Sequence, residues 1–165
     1  MKTEYRCIVI SDTHGDDRAI IKVIEKEEPF DLLIHCGDVQ GDLDRILGVQ
    51  RFGYFSVRGN CDMFSDADDE RCVRLGLWNV FVTHGHRCDV RYSRDRLIRA
   101  GQSRQAQVIL YGHTHVPEIT EDSKTGILIV NPGSLSRPRQ SNHKKTYAVL
   151  RLSADAHPEA ELREL

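Results

Sequence analysis

Aspartate, histidine and asparagine recur in five short clusters: Asp12-Thr13-His14, Gly37-Asp38, Gly59-Asn60-Cys61-Asp62, Thr83-His84-Gly85-His86 and Gly112-His113-Thr114-His115. In extended backbone, side chains two residues apart point to one side. On that basis Asp12 with His14, and His113 with His115, are each expected to converge on a shared point. Glycine beside a polar residue permits tight turns and lets the backbone approach a bound group. The donors are imidazole nitrogen, carboxylate oxygen and amide oxygen, with no clustered thiolate. That mixture suits Mn²⁺, Fe or Zn²⁺ better than Ca²⁺, which prefers all-oxygen cages, or structural Zn²⁺, which usually takes cysteine. The seven candidates Asp12, His14, Asp38, Asn60, His84, His113 and His115 exceed the needs of one tetrahedral ion. Two ions sharing a carboxylate would use them all.

Each cluster follows a run that reads as a strand. Arg6 to Ile10 is β-rich and stops at Ser11-Asp12, and in open α/β sheets the carboxyl end of a strand is where ligands sit. Ala19, Ile20, Val23, Ile24 and Glu27 recur at helical spacing ahead of Pro29. Leu32-Leu33-Ile34 forms a second strand, Leu43, Ile46 and Leu47 a short amphipathic segment, and Tyr54 to Arg58 a third strand. This is the βαβ rhythm of a parallel sheet. After an acidic loop, Ser65 to Glu70, the runs Cys72 to Leu75 and Val80 to Thr83 suggest a hairpin. Arg94 to Ala100 reads as a helix closed by Gly101, and Val108 to Tyr111 as a strand. Ile127 to Val130, Tyr147 to Leu152 and Glu159 to Leu162 supply the remaining β-rich segments. The expected architecture is α/β: two packed sheets with helices on their outer faces, one half beginning as parallel βαβ and the other mostly antiparallel. No repeat or linker divides the chain, so residues 1–165 are expected to form a single domain.

Composition narrows the function classes. The 165 residues are 39% hydrophobic and 29% charged, ordinary for a folded chain that buries its own core. A net charge of −2 supplies no broad positive field, so long nucleic acid is not an expected partner, whereas a small phosphate ester is. No apolar run approaches a membrane span, and Met1 to Val9 lacks the apolar core of a signal peptide, so a cytoplasmic protein with no membrane partner is expected. Five scattered cysteines without a C-x-x-C pair read as reduced thiols. Association of like chains, as a homo-oligomer, is compatible with all of this.

The order D-x-H, G-D, G-N-x-D, T-H-G-H and G-H-x-H, from Asp12 to His115, resembles the calcineurin-like metallophosphoesterases, and most closely their small, single-domain microbial phosphodiesterase branch. The later Asn131-Pro132-Gly133-Ser134 also resembles that branch. The resemblance implies a four-layer α/β/β/α sandwich of two mixed sheets flanked by helices. It also implies a division of ligands: Asp12, His14 and His115 for one divalent ion, Asn60, His84 and His113 for a second, and Asp38 bridging them. Mn²⁺ is the expected metal, with Fe, Zn²⁺ or Ni²⁺ as alternatives. A water between two such ions falls in pKa from about 15.7 toward about 7, making a metal-bridging hydroxide available as nucleophile on a phosphate ester. Many relatives carry histidine directly after the motif asparagine, where this chain has Cys61. A neutral thiol is a poorer electrostatic partner for phosphate than a histidinium. The expected activity is therefore phosphoric diester hydrolysis. The alternatives are a phosphomonoesterase or nucleotidase using the same site, and a metal-binding interaction scaffold like the related retromer subunit.

Around the ligand set, Asp38, Asn60, Cys61 and His86 are the expected catalytic group. His86 reads equally as a residue beside the metals or as a turn cap, and Asp62 as a brace of the Asn60 turn, a hydrogen-bond partner of a ligand histidine, or a plain turn aspartate. His35, inside an apolar strand, reads as a core histidine. Arg87, Arg91, Arg94, Arg96 and Arg99, interleaved with Asp89 and Asp95, read first as a solvated face and second as a steering patch. Arg137 is placed either to contact phosphate or in a plain basic loop. The Asp66 to Glu70 run reads as solvated loop.

Overall fold

The computed structural model describes residues 2–165. Two five-stranded sheets pack face to face. The first has the order β10-β9-β1-β2-β3, with β1 (Glu4–Ile10), β2 (Leu32–His35) and β3 (Gly53–Ser56) parallel, and β9 (Thr146–Ser153) and β10 (Glu159–Glu164) antiparallel to their neighbours. The second has the order β4-β5-β6-β8-β7, from β4 (Glu70–Leu75), β5 (Trp78–Thr83), β6 (Val108–Leu110), β7 (Glu118–Glu121) and β8 (Leu128–Asn131). Here β5, β6 and β8 run parallel, so this half holds as many parallel as antiparallel pairings rather than being mostly antiparallel. The helix α3 (Asp95–Ser103) between β5 and β6 returns the chain to the same end of the sheet, and that forces parallel pairing.

Alternation along the strands sorts the layers. Cys7 and Val9 of β1 face inward, meeting Val80, Val82, Val108, Leu110 and Val130 of the opposite sheet. Ile8 and Ile10 face outward, under Ile20, Val23 and Ile24 of α1 (Asp17–Glu27) and Leu43 and Leu47 of α2 (Leu43–Leu47). On the far side, Phe81, Ile109 and Ile129 pack beneath Leu97 of α3. The layers are thus α/β/β/α, with mixed sheets inside. All five cysteines are free thiols, and no helix is long and apolar enough to cross a membrane.

Two local outcomes differ from the sequence reading. Gly101 does not close α3 but lies buried within it, where an added Cβ would stand 2.5 Å from Ile109 Cδ1. Its role is close approach of helix to strand. The edge strand β7, Glu-Ile-Thr-Glu, carries too few apolar residues to announce itself, and its pairing with β8 defines it.

Candidate metal centre

All five clusters fall at strand carboxyl ends, after β1, β2, β3, β5 and β6, and both sheets present those ends to one edge of the sandwich. The side chains do not converge through extended backbone. Asp12, His14, Asp38, His113 and His115 have φ of 52°, 44°, 58°, 69° and 60°, in the left-handed region that non-glycine residues seldom occupy. Such conformations cost about 1–3 kcal/mol each and persist only where the surroundings enforce them. The enforcing contacts are specific. Asp12 N–H donates to Gly37 O at 3.0 Å and His14 N–H to Asp38 O at 3.0 Å, tying the first two loops together. Ser134 and Ser136 hydroxyls donate to Asp12 O at 2.8 and 2.9 Å. Asn131 Nδ2 donates to Gly112 O and Thr114 Oγ1, at 3.1 and 2.9 Å, bracing the loop between the two histidines.

One group forms around the first loop. Asp12, His14 and His115 bring ligand atoms together: His115 Nε2 lies 3.0 Å and His14 Nε2 3.9 Å from Asp12 Oδ1, and the two Nε2 atoms are 3.3 Å apart. A second group lies beside it. His84 Nε2 is 3.2 Å from Asn60 Oδ1, and the His84 and His113 rings are 5.1 Å apart. His115 joins the first group while His113 lies beside His84, so the two do not meet at one point; the left-handed φ of both residues breaks the extended alternation that would have aligned them. Asp38 Oδ2 faces both groups, 3.8 Å from His14 Nε2 and 3.4 Å from His84 Nε2. Its other oxygen accepts Cys61 N–H at 2.8 Å.

The arrangement fits a cation. Asp12 Oδ1 is buried without a hydrogen-bond donor, yet His14, His84 and His115 all turn Nε2 toward it. The opposite nitrogens are engaged: His84 Nδ1 with Cys36 O at 2.7 Å, His115 Nδ1 with Arg137 O at 2.7 Å, and His14 Nδ1 with Gln40 Oε1 at 2.8 Å. Carbonyl acceptors hold a proton on Nδ1, so it is Nε2 that gives up its proton to expose the lone pair a metal ligand needs. A buried carboxylate oxygen faced by three Nε2 atoms calls for positive charge among them, carried by protons or by a metal ion. Burial pushes the Asp12 carboxyl up, but His115, His84 and the Ser11 hydroxyl outweigh it and hold it below the usual range. Asp38 is likewise held well down, against burial, by His84 and Cys61. Both carboxylates are ionised at neutral pH.

Other expected residues settle as follows. Cys61 shares a ligand-atom cluster with His14 and Asp38, and burial and Asp38 push its thiol up to about 11, so it is neutral. His86 opens a 3₁₀ turn, its ring 5.4 Å from His84 and 6.2 Å from His113, with Nδ1 buried and unpartnered. His35 is a fully buried core histidine: Nδ1 accepts Gly37 N–H at 3.1 Å and Nε2 meets Thr13 Oγ1 at 2.9 Å. Arg87, Arg94 and Arg96 are tied to Asp69, Glu118 and Asp89, as a solvated face would be. Asp69 also binds Arg58 at 2.7 Å, so the acidic run is anchored at that residue rather than wholly solvated. Arg137 contributes its carbonyl to His115, and its side chain is exposed. Gln40, which orients His14, carried no signal in the sequence, because an exposed glutamine outside any motif is unremarkable.

A profile of the calcineurin-like phosphoesterase superfamily domain matches residues 5–155. This chain belongs to that superfamily. As a calcineurin-like phosphoesterase it is 33% identical to the probable metallophosphoesterase YsnB of Bacillus subtilis over 150 residues, 90% of this chain and 85% of that one. The phosphodiesterase YfcE of Escherichia coli is 33% identical over 97 residues, 53% of this chain and 47% of YfcE. The crystal structure of a predicted phosphoesterase from Streptococcus pneumoniae matches with a TM-score of 0.86 at 29% identity, covering 99% of this chain and 91% of that one. This phosphoesterase is accordingly a metal-dependent hydrolase of phosphate esters.

Proposed function

We propose that the chain hydrolyses phosphoric diesters at a two-metal centre, in which Asp12, His14 and His115 hold one ion, Asn60, His84 and His113 hold the other, and Asp38 serves both. The observation that carries this reading is Asp38 Oδ2, within 3.8 Å of His14 Nε2 and 3.4 Å of His84 Nε2 while Cys61 N–H occupies its partner oxygen. Divalent ions, Mn²⁺ first among them, would supply an acidified water and positive charge for the phosphate oxygens.

The chain's own contribution is positioning. The Nδ1 contacts of His14, His84 and His115 fix their ring orientations, and Asp62 and Asn131 fix the loops that carry Asp38 and His113. Asn60 is exposed at the mouth of the site and faces incoming substrate. The neutral Cys61 thiol and the His86 imidazole, whose pKa burial lowers, present no strong cation to a monoester dianion at neutral pH. That favours diesters, and YfcE, a phosphodiesterase by name, supports the same choice. We place the enzyme in the cytoplasm, acting on a small phosphate ester without membrane or long nucleic acid.

Bis-p-nitrophenyl phosphate with added Mn²⁺ tests the reading. Turnover should vanish with chelator and in Asp38→Asn and His113→Ala variants. Retained turnover in those variants would sink the assignment.

A further inference from the structure

Beside the proposed centre lies a cavity of ≈ 480 Å³ whose wall includes Thr114, the residue between His113 and His115. It is therefore continuous with the loop that carries two of the proposed ligands. Arg91 and Arg139, both exposed, line it from two separate loops, and the Arg139 backbone is held there by its N–H on His115 O at 3.0 Å.

The charges in this cavity do not cancel. Arg94 is paired with Glu118, whose other carboxylate oxygen accepts the Tyr111 hydroxyl at 2.6 Å. The guanidiniums of Arg91 and Arg139 carry no ion pair or hydrogen bond among the described residues. Three guanidiniums against one carboxylate leave two positive charges in the cavity, although the whole chain is net −2. The rest of the wall is apolar, from Val90, Val116 and Pro117. Two free guanidiniums match the oxygens of a phosphate, and an apolar wall matches a sugar or base.

Resting on the reading of the centre as a phosphodiesterase, we infer that this cavity binds one arm of the substrate through Arg91 and Arg139, and that the arm carries a second phosphate. The substrate class is then a phosphodiester of a phosphorylated nucleoside or comparable polyol, not a simple dialkyl phosphate. The first phosphate lies at the metal-capable side chains, and the second lies against the arginines.

Thymidine dinucleotides with and without a 5′-phosphate isolate this claim. Their hydrolysis-resistant phosphorothioate-linked forms, titrated calorimetrically in Mn²⁺, should differ in Kd by about tenfold or more in favour of the 5′-phosphorylated one, as expected for charge-assisted hydrogen bonds. In the Arg91→Ala/Arg139→Ala double variant the ratio should fall toward one, and Arg91→Lys/Arg139→Lys should restore part of it. Equal affinities in the unaltered protein, or a preference that survives the double alanine variant, would overturn the inference. Because binding is read without turnover, the result stands apart from the bis-p-nitrophenyl phosphate assay, whose failure would count against the phosphodiesterase reading alone.

Discussion

The carboxylate of Asp62 accepts the backbone N–H of Asp38 at 2.8 Å, and through it one loop holds the central residue of another. The same oxygen accepts Gly59 N–H at 2.9 Å, and its partner accepts Gln40 N–H at 2.7 Å. Asp62 therefore fixes the backbone on both sides of Asp38 and the entry to Asn60, while touching no proposed ligand side chain. Replacing Asp62 with Ala should lower Mn²⁺ affinity by about 10–100-fold, the usual cost of removing a group that orients metal ligands. Stability should fall by about 1–3 kcal/mol for each amide left buried without an acceptor. Calorimetric Mn²⁺ titration with parallel urea denaturation measures both. Wild-type affinity in a folded Asp62→Ala protein would remove Asp62 from the centre's support.

How much of this was legible follows from the kind of signal each residue gives. His14, Asp38 and His115 stand after apolar runs in recognisable order, so their placement at strand ends could be read directly. The backbone route could not. Left-handed φ at Asp12 and His14 is imposed by contacts from Gly37, Asp38, Ser134 and Ser136, each more than 20 residues distant, and local spacing carries no trace of them. The Asn131-Pro132-Gly133-Ser134 run was visible as a motif, but only the folded chain shows that Asn131 braces the His113 loop and Ser134 the Asp12 carbonyl. Strand β7 escaped because pairing rather than hydrophobicity creates it. Gly101 misled because glycine's permissiveness at helix ends and its smallness at packing contacts look the same in a sequence.

Glu27 shows another side of long-range design. It is 4% exposed at the last turn of α1, yet it accepts the Tyr147 hydroxyl at 2.5 Å and Arg163 at 2.8 Å, and pairs with Arg6. These ties fasten the helix to β1, β9 and β10. Burial pushes its carboxyl up, but Tyr147, Arg163 and Arg6 outweigh burial, and the net pKa is lowered. A depressed folded pKa means that the stabilisation is fully present above the unfolded value, about 4.3, and is lost as pH falls through the folded one. Glu27→Gln should cost about 1–3 kcal/mol at pH 7, because Arg6 loses its charge partner and Arg163 keeps only Glu161. The difference from wild type should shrink below pH 4, as urea midpoints across pH 3–7 would show. A constant difference over that range would refute the assignment.

Packing makes its own prediction at Gly101. A Cβ there would meet Ile109 Cδ1 at 2.5 Å and Cγ1 at 2.9 Å, beneath α3. Gly101→Ala should therefore destabilise by about 1–3 kcal/mol despite alanine's better helix propensity. Adding Ile109→Val removes Cδ1 and should recover part of the loss, so the two changes should be non-additive in thermal denaturation. Strict additivity would mean that the contact is not the cause.

Cys61 is where substrate preference can be turned. Its N–H is on Asp38 Oδ1 at 2.8 Å and its neutral thiol lies near His14, so the position borders the place proposed for the phosphate. A histidine there would add a group able to carry positive charge beside an ionised carboxylate, which raises an imidazole's pKa. Such a group can protonate a leaving oxygen and balance a dianionic monoester, contributions worth about 10²–10⁴-fold where geometry is ideal. Cys61→His should raise kcat/KM for p-nitrophenyl phosphate relative to bis-p-nitrophenyl phosphate by about tenfold, a conservative fraction of that range. The gain should fade as pH rises past the new imidazole's pKa. If monoester turnover is unaltered, or rises without that pH dependence, the thiol is not what tips this centre toward diesters.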